Sequence, residues 1–176
     1  MAETKPEAPR AIIVMGVSGC GKSSVGALLA ERLGLAFIEG DSLHPAGNVA
    51  KMAQGIPLTD EDRWPWLETI GTLMAEARNS GKGIVVSCSA LKSIYRDRLR
   101  QAMSGRLSFV FLEGTPELLL SRMGARRGHF MPVSLLESQL RTLEVPTGEP
   151  GVVTVSIDAS VDAIVDRALE ALMAAD

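Results

Sequence analysis

The sequence predicts an α/β fold in three layers, a five-stranded parallel sheet with helices on both faces. Short runs such as AIIVM, IVVS and FVFL are apolar without polar alternation, as strands buried on both faces require. Segments with apolar residues at helical spacing separate these runs. The first run also passes through a glycine-rich turn directly into a helical segment.

In order, RAIIVMG at 10–16 reads as a buried strand, and 21–33 as a helix with Val25, Leu28, Leu29 and Leu33 on one face. LAFIE at 35–39 is the second strand. The polar stretch 40–66, punctuated by Pro and Gly, is assigned no regular element. A helix follows from about residue 66 to 79, with Gly81 in a stop position. GIVVSCS at 83–89 is the third strand, and SIYRDRLRQAM from Ser93 the next helix. LSFVFLEG at 107–114 is the fourth strand. Thr115 is placed to cap a helix that Pro116 opens, where its missing N–H costs nothing. VVTVSID at 152–158 is the fifth strand, and 160–174 the closing helix. A parallel sheet binds ligands at the carboxyl ends of its strands, so Gly16, Gly40, Asp41, residues 88–92, Glu113 and Gly114 should share one rim.

With 176 residues, 46% hydrophobic and 22% charged, the chain suits a single domain at 11–176 behind a tail at 1–10. That tail, MAETKPEAPR, lacks the apolar centre of a signal peptide. Two cysteines are too few for a disulfide framework and fit a reducing, cytoplasmic location. No apolar run approaches the ~18 residues that span a bilayer. A net charge of −3 argues against nucleic acid or membrane as partner. Any anionic ligand must be met by basic residues gathered locally.

Gly16-Val17-Ser18-Gly19-Cys20-Gly21-Lys22-Ser23, followed by Ser24, matches G-x-x-x-x-G-K-[ST] between a predicted strand and a predicted helix. The glycines let backbone N–H groups turn inward around phosphate oxygens, at a helix N-terminus whose dipole favours anions. Lys22 would bridge the β- and γ-phosphates of ATP, and the Ser23 hydroxyl would ligate Mg²⁺. Cys20 reads either as a small filler or as a thiol activated by the helix N-terminus.

This loop serves kinases, motors, switches and sensors alike. No Asn/Thr-Lys-x-Asp guanine-reading motif is present, and the strand IVVSCS carries Ser87 and Ser89 where a motor ATPase would end on an acid. A small-substrate phosphotransferase fits these absences, and it needs an acceptor pocket and a lid. The pocket is sought at 40–67, where Asp41 directly follows the second strand and could take a proton from an attacking hydroxyl. His44, Lys51 and Arg63 could offer positive charge, although Lys51 reads equally as solvated surface. Thr59 to Asp62 also spells a capping box, and Trp64 and Trp66 suit either core or pocket wall. The lid is sought in RMGARRGHFMP at 122–132, where Arg122, Arg126, Arg127 and His129 flank Gly124 and Gly128. An arginine delivered on closure would stabilise charge on the transferring phosphoryl.

Four segments carry a resemblance over nearly the whole chain from Ala11: GDSLHP at 40–45, NVAKMAQGIPLTDEDRWPWL at 48–67, VSCSALKSIYRDRLR at 86–100 and HFMPVSLLESQLRTLEVP at 129–146. Together they resemble the bacterial-type gluconokinases, small P-loop kinases related to shikimate and adenylate kinases. The resemblance implies ATP-dependent phosphorylation of D-gluconate at its 6-hydroxyl, Mg²⁺, a P-loop NTPase fold with a mobile lid at about 122–146 and an acceptor region at about 40–80, and commonly a homodimer. It implies Asp41 as catalytic carboxylate beside Lys22, with His44, Arg63, Lys92 and His129 toward the acceptor. Arg127 would act on the transferring phosphoryl, and Arg122 and Arg126 would contact the nucleotide with residues 16–24. A kinase for another small hydroxy acid such as shikimate, and an ATP-binding regulator that transfers nothing, are the alternatives.

Overall fold

The computed structural model describes residues 10–125 and 133–175. Strands β1 (Ala11–Met15), β2 (Ala36–Glu39), β3 (Ile84–Ser87), β4 (Ser108–Glu113) and β5 (Val152–Ser156) form one parallel sheet in the order β2-β3-β1-β4-β5. Helices α1 (Lys22–Leu33), α2 (Ala46–Ala53), α3 (Asp60–Asn79), α4 (Ser93–Ala102), α5 (Pro116–Ala125), α6 (Val133–Thr142) and α7 (Val161–Ala175) surround it.

The period of two along each strand sorts the core into two faces. Ile12, Val14, Val85, Val110, Leu112 and Val155 pack under α1 and α7, through Val25, Leu29, Ile164, Val165 and Leu172. Ile13, Met15, Val86, Phe109 and Phe111 pack under α3 and α4, through Trp66, Leu67, Ile70, Met74, Tyr95 and Leu99. Register places Ile13 between Val86 and Phe109, so the central strand is covered on both faces. Among the described residues no helix is long and apolar enough to cross a membrane.

Two expectations of local structure are corrected. The third helix begins at Asp60, six residues before the expected start, and runs through Pro65. The capping box outweighs the hydrogen bond that proline removes: Asp62 N–H donates to Thr59 Oγ1 at 3.1 Å and Thr59 N–H to Asp62 Oδ2 at 2.9 Å. The stretch 40–66 is also more ordered than its composition suggests, because it holds a 3₁₀ turn at Gly40–Leu43 and all of α2. Helix α2 is tied to α3 by Asn48 and Lys51, which reach the Asp62 carbonyl and carboxylate at 2.8 Å each. The expected lid residues Arg126, Arg127 and His129 lie outside the described residues, as does the tail at 1–9; the carboxyl-terminal part of the expected lid is α6.

Candidate active site

The glycine-rich loop turns at the end of β1. Gly16 has φ +149°, and a Cβ there would meet Cys20 Sγ at 2.7 Å and the Leu112 carbonyl oxygen at 3.1 Å, so only glycine leaves the strand this way. Cys20 is fully buried in the core beneath the loop with Val17 and Val25. The structure therefore favours the filler reading over the reactive thiol, since the sulfur has no access to solvent. Gly21, at φ 90°, sits directly ahead of α1, whose first residues are Lys22 and Ser23. The Lys22 ammonium donates to the Val17 carbonyl at 3.2 Å, spanning the base of the loop.

Beside it, β2 ends where β3 presses hardest. A Cβ on Gly40 would lie 1.9 Å from the Ser87 carbonyl oxygen. The Gly40 N–H donates to Ser87 Oγ at 3.1 Å, and Trp66 Nε1–H donates to the Gly40 carbonyl at 2.8 Å. This close approach fixes the 3₁₀ turn and leaves Asp41, its second residue, exposed at the sheet rim.

The two halves meet in one pocket. Ser18 and Lys22 of the loop, Asp41, His44, Arg63 and Trp66 line it, with Met52, Leu58, Ser89 and, from α6, Leu135, Ser138 and Gln139. Of the expected site residues, Ser18, Lys22, Asp41, His44 and Arg63 are thus brought together. The His44 ring stacks on Trp66, with centroids 3.9 Å apart. Burial lowers its pKa to about 4; the Asp41 charge opposes that shift and Arg63 adds to it. Arg63 is anchored through Nη1, which donates to the Leu58 carbonyl at 2.8 Å and to the Tyr95 hydroxyl at 3.0 Å. Its remaining nitrogens keep a fork suited to a carboxylate.

Lys92 does not line the pocket. Its ammonium donates to Asp60 at 2.9 Å, behind Arg63, where the Tyr95 hydroxyl donates to the same carboxylate. That hydroxyl first, and Lys92 next, hold the Asp60 carboxyl below its usual range. Lys51 likewise serves the α3 cap. Arg122 donates to the carbonyls of Ile157 and Ala159, which places its guanidinium against the turn after β5.

Several residues escaped the sequence reading. Glu39 accepts from Ser23 Oγ at 2.5 Å and from Ser87 Oγ at 3.0 Å, so a carboxylate stands beside the hydroxyl expected to hold a metal. Ser23 and Glu39 are hard oxygen donors suited to Mg²⁺. Among the described residues no cluster of three or more His, Cys, Asp or Glu could hold a metal by itself. Gln139 Oε1 accepts from the Ser18 N–H at 2.7 Å and from its hydroxyl at 3.1 Å, joining α6 to the loop. Ser89, within the 88–92 stretch expected on the rim, reaches the pocket beside a backbone bend at Ala90, φ 45°. The fully buried Arg96 holds that bend by donating to the Ala90 carbonyl at 2.8 Å, while pairing with Glu149 at 2.6 Å. Cys88, in the same segment, is buried, which pushes its thiol pKa up to about 12 and leaves it unreactive.

Comparison with known proteins identifies the family. The shikimate kinase family profile matches residues 18–144. A gluconokinase of Gluconobacter oxydans is 46% identical over 96% of this chain and 94% of its own. The thermosensitive gluconokinase of Escherichia coli is 43% identical over 95% of this chain and 89% of its own. The crystal structure of a gluconokinase from Sinorhizobium meliloti superposes with a TM-score of 0.88 at 54% identity, covering 96% of this chain and 94% of that one. On a five-stranded parallel sheet with a phosphate loop at the end of β1, and with these relatives over nearly its whole length, the chain belongs to the gluconokinases and carries a shikimate kinase-family domain.

Proposed function

We propose that the protein transfers the γ-phosphoryl group of ATP to the 6-hydroxyl of D-gluconate, giving 6-phospho-D-gluconate and ADP. The single observation that carries this reading is the shared pocket, in which Lys22 of the phosphate loop faces Asp41, His44 and Arg63. The loop N–H groups of residues 16–24 and the Lys22 ammonium hold the β- and γ-phosphates. The anchored Arg63 fork takes the gluconate carboxylate, which orients the chain of hydroxyls toward the loop. Asp41 accepts the proton of the 6-hydroxyl as its oxygen bonds to phosphorus and the bond from phosphorus to the β,γ-bridging oxygen breaks. Ser23 and Glu39 would hold Mg²⁺, which would supply charge neutralisation at the phosphates. Lys92 acts through Asp60, neutralising that carboxylate so that Arg63 keeps its charge for the acceptor. Arg122 and Arg126 are assigned to the nucleotide, Arg127 to the transferring phosphoryl and His129 to the acceptor; the last three lie outside the described residues. A cytoplasmic homodimer completes the reading.

The experiment is an ADP-release assay with gluconate, shikimate or no added acceptor. Saturable turnover on gluconate alone is expected. Turnover on shikimate but not gluconate would replace the acceptor, and ATP binding without acceptor-dependent turnover would replace the enzyme with a regulator.

A further inference from the structure

The pocket holds a ring nitrogen whose hydrogen-bond partner is set by geometry. Asn48, 5% exposed on α2, places its Nδ2 atom 2.8 Å from the Asp62 carbonyl oxygen and 3.2 Å from His44 Nδ1. A carbonyl oxygen only accepts, so the Asn48 nitrogen is the amide NH₂ and one of its hydrogens goes to Asp62. Its other hydrogen is available to His44 Nδ1, and two N–H groups cannot pair there, so the contact is a hydrogen bond only when Nδ1 carries a lone pair. The ring plane is held as well, because Trp66 stacks on it at 18° and is itself pinned to the Gly40 carbonyl. The charged groups around the ring are Asp41 of the 3₁₀ turn, Arg63 of α3 and Lys22 of α1. Arg63 already supplies the cation that a carboxylate requires.

We propose that Asn48 is a positioning residue that locks His44 as the neutral Nε2–H tautomer, so that His44 meets the acceptor as a hydrogen-bond donor to a hydroxyl oxygen. The inference deepens the gluconate reading of the pocket and rests on it. A neutral donor aimed at one oxygen gives selectivity that a second cation would not, because an analogue lacking that hydroxyl leaves the N–H buried and unpaired.

Two measurements test it. The chain has two histidines, so long-range ¹H–¹⁵N NMR of the free protein, with His129→Gln to assign them, reads the His44 tautomer directly. A non-protonated Nδ1 and protonated Nε2 are expected between about pH 5.5 and 8; a protonated Nδ1, or equal averaging of both nitrogens, would overturn the lock. In Asn48→Asp, a carboxylate replaces the donor, draws the proton to Nδ1 and raises the His44 pKa. At about pH 8 the KM for gluconate should rise about 10-fold or more, the scale of one unmade buried hydrogen bond, while the KM for ATP stays near wild type. That loss should shrink as the pH falls and His44 regains its Nε2 proton. An unchanged KM, or a loss independent of pH, would overturn the proposal. Failure of the gluconate reading shows elsewhere, as absent gluconate turnover in wild type, and leaves the NMR result standing.

Discussion

Gly40 carries a constraint that no other residue type could meet, with the Ser87 carbonyl oxygen 1.9 Å from where a Cβ would be. Gly40→Ala must push β2 from β3 and carry Asp41 with it, so kcat on gluconate should fall by at least about 10²-fold, the scale of a displaced acid–base group. Full activity in a folded Gly40→Ala protein would refute the role of that approach. Lys22→Ala and Asp41→Ala should each lower kcat by at least ~10²-fold, and near-normal turnover in Asp41→Ala would remove it from the mechanism. His44 adds a pH term to stability. Its folded pKa, about 4, lies below the unfolded value of 6.5, so the unfolded chain takes up the proton first. This contribution is fully present above pH 6.5 and is lost as the pH falls toward 4. Thermal melts over that window should show a shallower loss in His44→Gln than in wild type. At this scale Lys22, Asp41, His44 and Arg63 were legible because they sit in or beside local motifs. Glu39 and Ser87 were not, because their partnership depends on the β2–β3 register across 48 residues of sequence.

Helix α3 shows how an element becomes part of a site. Its amino-terminal turn collects Asp60, Asp62 and Arg63, and through them Lys92, Tyr95, Asn48 and Lys51. Thr59→Ala removes one half of the capping box and should cost about 1 kcal/mol of stability by denaturant titration. Because the same turn orients Arg63 and Asn48, the KM for gluconate should rise while the KM for ATP does not. Equal changes in both would mean that the cap serves folding alone. The capping box was visible in the sequence, yet the polar, Pro- and Gly-punctuated composition up to residue 66 hid the earlier start, since local rules do not weigh one lost hydrogen bond against two caps and a tertiary anchor. Helix α2 was missed for a related reason. AGNVAKMA is short and contains Gly47, and Asn48 and Lys51 secure it to Asp62, a partner outside its own segment.

For the whole molecule, the parallel sheet and the rim on which the site lies were legible, because five apolar runs between helical segments leave few ways to cover both faces. The strand order is less visible in sequence, since β3 inserts between β2 and β1 through pairing that no local pattern encodes. The same insertion brings Ser89, next to the Arg96-held bend at Ala90, to the pocket that Lys22 and Asp41 line. The central claim, transfer of a phosphoryl group to the terminal hydroxyl of gluconate, is tested most directly by ³¹P–¹H correlation NMR of the products formed from ATP and gluconate. The expected result is a phosphate ester coupled to the C6 methylene protons, formed in step with ADP. Inorganic phosphate as the phosphorus product, or an ester coupled to any other position, would contradict it.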